Sequence, residues 1–185
     1  MELVNLRRVL GLMVALMLMY GCGSGQSGKT GGENMDPREQ LAGRPSFEQA
    51  EQEYVALLKE AVAAARRVAP SVEWDKQDPA PLGGVSGCRA PFSDVEGAFS
   101  SGYVTGGIGS IPDEDWDAAA DAVAEVARRY GFDTRTTVVD EPGEHLEAYG
   151  GPYGDDLQVQ SSKQTIFQLN GGCFLKASGP GETSH

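Results

Sequence analysis

The feature that most constrains the fold is an apolar periodicity between Ser46 and Pro70. Apolar residues recur there at every third or fourth position, which places them on one face of an α-helix. Ser46 and Gln49 match the S-x-x-Q capping box that begins a helix, and Pro70 ends it. The pattern predicts a long amphipathic helix whose apolar face must be buried, and this face is formed by Phe47, Ala50, Tyr54, Leu57, Leu58, Ala61, Ala65 and Val68.

A second helix is predicted from about Pro112 to Tyr130. Two arginines lie in its last turn, where the helix dipole favours cations, and Gly131 suits a left-handed C-cap. Its apolar face is formed by Trp116, Ala119, Ala120, Val123, Ala127 and Tyr130.

The rest of the domain is predicted to be strands and turns. Residues 71–91 and 141–155 are rich in Gly and Pro and are interpreted as irregular, and Asn170-Gly171 predicts a type I′ hairpin turn. The order of elements predicts an α+β fold, with an antiparallel sheet of four to five strands and two helices packed on one face. The strand candidates are residues 98–105, 134–139, 157–160, 165–169 and 173–175.

The N-terminus has the pattern of a bacterial lipoprotein signal. The apolar run over residues 9–20 is shorter than the roughly 20 residues that a membrane-spanning helix needs. Met19 and Gly21 fit the residues expected before a lipidated cysteine, whereas Tyr20 is large where a small residue is usual. We expect cleavage before Cys22 and lipid acyl chains on its thiol. The alternatives are ordinary cleavage that leaves a free thiol, or an uncleaved anchor.

Composition changes divide the chain into four predicted segments. Residues 1–21 are a signal peptide, and the Gly-rich residues 22–45 are a flexible, lipid-anchored tether. Residues 46–178 are a single α+β domain, and residues 179–185 are a polar, disordered tail.

Cys88 and Cys173 are the cysteines that remain for the exported domain. Two cysteines in an oxidising compartment usually form a disulfide, and we predict that these two do so. The alternatives are two buried thiols or a metal or redox pair, although the sequence has no CxxC or CxxH spacing.

The charge of the chain excludes one class of partner. Its 15 basic and 27 acidic residues give a net charge of −12, and nucleic-acid binding needs clustered cations, so we expect no nucleic acid. The same charge disfavours a polybasic grip on an anionic membrane surface.

The sequence contains no constellation of residues that is typical of catalysis or metal binding. His145 is interpreted as a solvated loop histidine without a partnered nucleophile. Asp113, Asp115 and Asp117 match part of a calcium loop, but the glycine and glutamate that such a loop needs are missing. We therefore predict no catalytic residue, no metal and no cofactor, and favour a non-enzymatic role without excluding an enzyme.

Tyr149 and Tyr153 lie in a glycine-rich segment that is a candidate contact loop. Exposed tyrosines on such a loop suit contact with carbohydrate or protein. The alternative is that both rings cover the edge of the core.

Four stretches of the predicted domain resemble the LppA-like family of actinobacterial lipoproteins. The most specific are W-x-x-x-D-P after the first helix and G-x-C-F-L after a late strand. The resemblance implies an exported, lipid-anchored envelope protein without an established activity, and it matches Cys22, Cys88 and Cys173 to cysteines of the family. The stretches are residues 46–79, 84–88, 113–132 and 169–175.

These features predict a lipoprotein on the outer face of the cytoplasmic membrane. We expect a non-enzymatic binding or interaction module whose partner is an envelope protein or a small ligand. The alternative is a carrier of lipid or carbohydrate, or an envelope enzyme, with a pocket between the sheet and the helices. An apolar cavity of several hundred Å³ would favour the carrier, and convergent carboxylates with shifted pKa values would favour the enzyme.

Overall fold

The structure is a computed structural model that describes residues 35–177. The helices in this part of the chain are α1 (Pro37–Ala42), α2 (Phe47–Val68) and α3 (Asp113–Arg129). The strands are β1 (Glu73–Trp74), β2 (Ala80–Pro81), β3 (Ser86–Gly87), β4 (Ala98–Ser100), β5 (Gly102–Ile108), β6 (Thr134–Glu141), β7 (Glu144–Gly150), β8 (Asp156–Ser161), β9 (Gln164–Asn170) and β10 (Phe174–Leu175).

Helix α2 has the start and the end that its sequence predicts. The Ser46 hydroxyl accepts a hydrogen bond from the Gln49 amide at 3.3 Å, and the Gln49 side chain accepts one from the Ser46 amide at 2.9 Å. This reciprocal capping box satisfies amides that the first helical turn leaves without partners. The helix ends at Val68, two residues before Pro70.

Helix α3 also matches its prediction within one residue at each end. The Phe132 amide donates to the Ala127 carbonyl at 3.0 Å, and the Gly131 amide donates to the Arg128 carbonyl at 3.1 Å. This pair of bonds is a Schellman motif, which requires a left-handed residue, and the φ of Gly131 is 81°. Helices α2 and α3 pack together, and alanines on both buried faces let them approach closely.

The main sheet is antiparallel and has seven strands. Its order is β1-β5-β9-β8-β7-β6, and β2 pairs with the same strand, β5, as β1 does. In β9, Thr165, Phe167 and Leu169 are buried, while the alternate positions remain partly exposed. Helix α2 packs on β5 and β9 and α3 packs on β7, so the core lies between the helices and one face of the sheet.

The predicted α+β class, with two long helices on one face of an antiparallel sheet, is confirmed. The sheet is larger than the predicted four to five strands. Two of the additional strands, β1 and β2, are two-residue segments within the Pro- and Gly-rich region 71–91, where the composition gave no strand signal.

The prediction of an irregular segment over residues 141–155 is wrong, because β7 occupies its centre and pairs with both β6 and β8. Gly and Pro occur only at the ends of this segment. In β7 the residues that point into the core are His145, Glu147 and Tyr149, and each of them is bonded to a neighbouring group. The strand alternates between buried and exposed positions, but polar residues occupy the buried positions. The sequence pattern therefore did not indicate a strand.

The hairpin predicted at Asn170-Gly171 is also wrong. Strand β10 does not pair with β9; it joins a separate three-stranded sheet of order β10-β4-β3. Gly171 instead allows the backbone to pass close to Ser101, because a Cβ at residue 171 would lie 2.1 Å from the carbonyl oxygen of Ser101. The strand predicted over 98–105 divides at that same serine, with β4 in the small sheet and β5 in the main sheet.

The predicted tether ends earlier than residue 45. Helix α1 lies within that segment, begins at an Asp36 cap, and places Leu41 against Ala98 and Cys173 with 1% of its surface exposed. A single apolar residue in a polar stretch gives no periodic signal, so the sequence did not reveal this helix. The signal peptide, Cys22 and the predicted tail over 179–185 lie outside the described residues.

Candidate functional site

A disulfide joins Cys88 to Cys173, which is the pairing that the cysteine count predicts. Cys88 follows β3 and Cys173 precedes β10, and the Cα atoms are 5.7 Å apart. Both of these short strands pair with β4, so the bond closes the small sheet covalently.

An open cleft of about 430 Å³ lies beside this disulfide. Ligand sites in proteins typically have volumes of about 300–1,000 Å³. Much of its wall is glycine backbone from residues 84–87 and 171–172. The side chains that bring chemistry to it are Ser86, Arg89, Phe92, Ser100, Tyr153 and Asn170.

Arg44 holds the two aromatic rings of the cleft in place. Its guanidinium carbon lies 4.8 Å from the ring centre of Phe92 and 5.3 Å from that of Tyr153. The same group donates hydrogen bonds to the carbonyls of Cys173 at 2.9 Å and Tyr153 at 3.3 Å. A guanidinium between two rings with two carbonyl partners fixes both rings relative to the disulfide.

A buried hydrogen-bond chain from α2 fixes the backbone of Tyr153 and Gly172. The Tyr54 hydroxyl donates to the Asp155 carboxylate at 2.7 Å and accepts from the Gly172 amide at 3.0 Å. Asp155 also accepts from the Tyr153 amide at 3.0 Å. Burial, followed by the charge of Asp155, raises the pKa of Tyr54, so the phenol stays protonated and donates. The long helix therefore positions two residues that line the cleft.

The structure separates the two tyrosines of the candidate contact loop. Tyr153 lines the cleft and is partly exposed. Tyr149 lies within β7 with 1% of its surface exposed, and its hydroxyl donates to the Ala120 carbonyl at 3.0 Å. Burial raises the pKa of Tyr149. The contact prediction is wrong for Tyr149, which joins α3 to the sheet.

A family model described as LppA, a lipoprotein confined to pathogenic Mycobacterium, matches residues 24–177. The chain belongs to the LppA lipoprotein family.

Two solved structures are similar to that of this LppA family member. The crystal structure of LppA from Mycobacterium tuberculosis is 17% identical, with a TM-score of 0.56, over 80% of this chain and 90% of that chain. A DUF4853 family protein from Actinomyces odontolyticus is 15% identical, with a TM-score of 0.45, over 78% of both chains. No curated protein matches the chain. At this identity the likeness to M. tuberculosis LppA shows the fold alone.

His145 of this LppA family member is not the solvated loop residue that the sequence suggested. It lies in β7, 5% exposed, and its ring stacks on Trp116 with centroids 4.8 Å apart. Its two nitrogens contact carboxylate oxygens of Asp140 at 3.0 Å and Asp113 at 3.1 Å. Asp113 also accepts from the Gly143 amide at 2.9 Å. His145 therefore joins the start of α3 to the β6–β7 hairpin, and neither nitrogen is bonded to a hydroxyl or thiol in the described residues.

The other buried acid of β7 is also fully engaged. Glu147 is 2% exposed and accepts from the Arg135 guanidinium at 3.0 and 3.3 Å and from the Thr137 hydroxyl at 2.9 Å. Arg135 also contacts Asp121 at 2.6 Å, and its hydrogen bonds to Glu147 raise its pKa further. A carboxylate held in this way acts as a structural partner of Arg135.

Three further features of the LppA fold bear on the sequence analysis. Asp113, Asp115 and Asp117 lie in the first turns of α3, and no group of three potential metal ligands comes together within residues 35–177. The cavity between α2 and the adjoining 152–155 segment has a volume of about 20 Å³, room for about one water molecule. No helix in the described part of the chain is long and apolar enough to cross a membrane.

Proposed function

We propose that this protein is a lipid-anchored envelope module that binds its ligand in the cleft beside the Cys88–Cys173 disulfide. The observation that carries the proposal is the cleft itself, which has ligand-site volume and walls that are fixed from several sides. Preorganised walls reduce the conformational entropy that binding must overcome. The protein acts by binding and does not catalyse a reaction.

The family supports the anchored location. Its description is that of a lipoprotein, and Cys22 directly follows a short apolar run with a signal-peptide pattern. Several acyl chains on one cysteine hold a protein firmly at a bilayer, since each buried methylene contributes about 0.8 kcal/mol. The domain stands on the outer face of the cytoplasmic membrane, and Cys22 carries the lipid.

The buried polar groups support a non-enzymatic role. His145, Glu147 and Asp155 are the buried titratable groups most suited to acid–base chemistry, and each is bonded to structural partners. None of the three lines the cleft.

The anchor is tested with Cys22→Ala in the full chain. We expect the variant to leave the membrane fraction or to accumulate with its signal uncleaved, because the acylated thiol is removed. Intact-mass analysis of the wild-type protein must show acyl chains on Cys22. An unmodified mature cysteine would contradict the proposal of a lipid anchor.

Binding in the cleft is tested by blocking it. Gly87 lines the cleft, and a Cβ built there meets no atom within 4 Å, so the backbone has room for a side chain and Gly87→Trp introduces a ring at the cleft. Ala118→Trp, at an exposed position of α3, is the matched control. The mature protein and both variants, purified from detergent-solubilised membranes, are immobilised and exposed to fragmented cell envelope, and the retained material is identified by mass spectrometry.

We expect the wild type and Ala118→Trp to retain the same compound and Gly87→Trp to lose most of it. Circular dichroism must show that both variants remain folded. Equal retention by Gly87→Trp would contradict binding in this cleft.

A further inference from the structure

We infer that the ligand of the disulfide cleft is a sugar that carries a carboxylate. This inference rests on the proposed function, because it concerns the same cleft and names the class of compound that the cleft takes.

The charge of the cleft is opposite to that of the protein. The chain has a net charge of −12, yet Arg89 is the single charged side chain that lines the cleft. Within the described residues no carboxylate pairs with Arg89, whereas Arg135 contacts two. A planar guanidinium without a partner presents a fork of donors that matches a carboxylate.

The second step is the charge that lies behind the rings. Arg44 stacks on Phe92 and Tyr153, both of which line the cleft, and its own hydrogen bonds go to backbone carbonyls. The buried Asp155 beside Tyr153 offsets the charge of Arg44, so Arg89 is the cation that attracts an anionic group to the cleft, in a molecule that repels anions overall.

The third step is the uncharged chemistry of the cleft. Ser86, Ser100 and Asn170 contribute hydroxyl and amide groups. The Ser100 hydroxyl is oriented by a bond to the Gly171 carbonyl at 2.8 Å, and the Asn170 amide is oriented by bonds to Asp156 at 3.1 Å and from Gln168 at 2.9 Å. Phe92 and Tyr153 contribute aromatic carbon. Sugar hydroxyls form hydrogen bonds with hydroxyl and amide groups, and the C–H surface of a sugar ring packs on aromatic rings.

Other ligand classes fit the lining less well. An acyl chain needs a largely apolar wall, but most of this wall is glycine, serine and asparagine. A polyphosphate needs several cations in contact with it, and one arginine lines the cleft. A sugar with one carboxylate uses the single arginine, the neutral donors and both rings.

The test compares two sugars that differ by a carboxylate. N-acetylmuramic acid is N-acetylglucosamine with a lactyl ether, and lactate supplies that carboxylate without the ring. Each compound is titrated calorimetrically into the mature, full-length protein in detergent. We expect N-acetylmuramic acid to bind at least about tenfold more tightly than either of the other two, since a hydrogen bond to a charged group contributes about 1.5–3 kcal/mol.

Arg89→Gln removes the charge, and Arg67→Gln makes the same change at an exposed position of α2 outside the cleft. We expect Arg89→Gln to bind the two sugars equally and weakly, and Arg67→Gln to keep the wild-type preference. Thermal melting of both variants confirms that they are folded.

The inference would be overturned by equal binding of the two sugars to the wild type, by a preference that survives Arg89→Gln, or by binding of lactate as tight as that of N-acetylmuramic acid. Arg89-dependent binding of a peptide with a free C-terminal carboxylate, with no binding of any sugar, would also overturn it. Each of these leaves the proposed function standing, which fails separately if Gly87→Trp retains the envelope compound.

Discussion

In the large core, Leu157, Phe167 and Leu169 of the sheet belong to one buried cluster with the apolar faces of α2 and α3. The cluster beside the small sheet has only Leu41, Ala98 and Cys173 as its buried members. Burial of apolar surface contributes about 25 cal/mol per Å², so the large buried apolar area stabilises the first region. The second cluster has little area of its own, and the small sheet is held by the disulfide, by Arg44 and by Phe174 of β10, which is buried in the large core. The cleft that we propose as the binding site lies in this second, disulfide-stapled region and not within the packed core.

The largest effect is expected from a change in the packed region. Phe167 is fully buried and meets Trp74 edge to face, with ring centres 6.1 Å apart. Phe167→Ala should lower the free energy of unfolding by about 3–5 kcal/mol, through lost burial and the cavity that remains. Urea unfolding followed by circular dichroism measures this loss. The matched control is Ile166→Ala, one residue away on the partly exposed face; an equal loss there would show that the core does not lie on the helix side.

A smaller and more local effect is expected in the stapled region. Replacing Cys88 and Cys173 together by Ala should lower stability by about 2–4 kcal/mol, because the unfolded segment regains the freedom of a long loop. Hydrogen exchange should rise first in β3, β4 and β10 and only later in β8 and β9. Reducing agent should have the same effect on the wild type and none on the double variant. Uniform loss of protection across both sheets would contradict the contrast between the two regions.

The smallest effect concerns the edge of the packed region, where Asp113 contacts His145 and Gly143. These hydrogen bonds, that of His145 first, hold the pKa of Asp113 below its ordinary value of 3.8. Since folding lowers this pKa, the contribution of Asp113 to stability is present above pH 3.8 and is lost as the pH falls through the folded-state pKa. Asp113→Asn should therefore flatten the acid side of a plot of unfolding free energy against pH. Asp117→Asn, at an exposed position of the same helix, is the control and should leave the slope unchanged.

The elements of the packed region differ in how well the sequence predicts them. Both long helices follow from apolar periodicity and end signals, and their observed ends agree with the prediction within one or two residues. Strand β7 was missed because its inward positions carry His145, Glu147 and Tyr149, whose burial depends on partners from elsewhere in the chain. Polarity in a sequence indicates exposure only when no such partner is available.

The cleft could be predicted only in part. Tyr153 and the two cysteines were identified as notable residues, whereas Arg89, Phe92 and Asn170 gave no signal. The cleft is assembled from residues 82–102 and 153–173, and no local pattern reports that these segments meet. Arg44 was missed for the same reason, because its partners are 109 and 129 residues away.

The position of Arg44 also determines where mechanical load enters the domain. The described chain begins at Met35 and reaches the cleft through α1 and Arg44 within ten residues. A bound envelope compound and a membrane anchor would then pull on neighbouring points of the fold. Tension between them would therefore act over a short path through Arg44 and the disulfide-closed sheet.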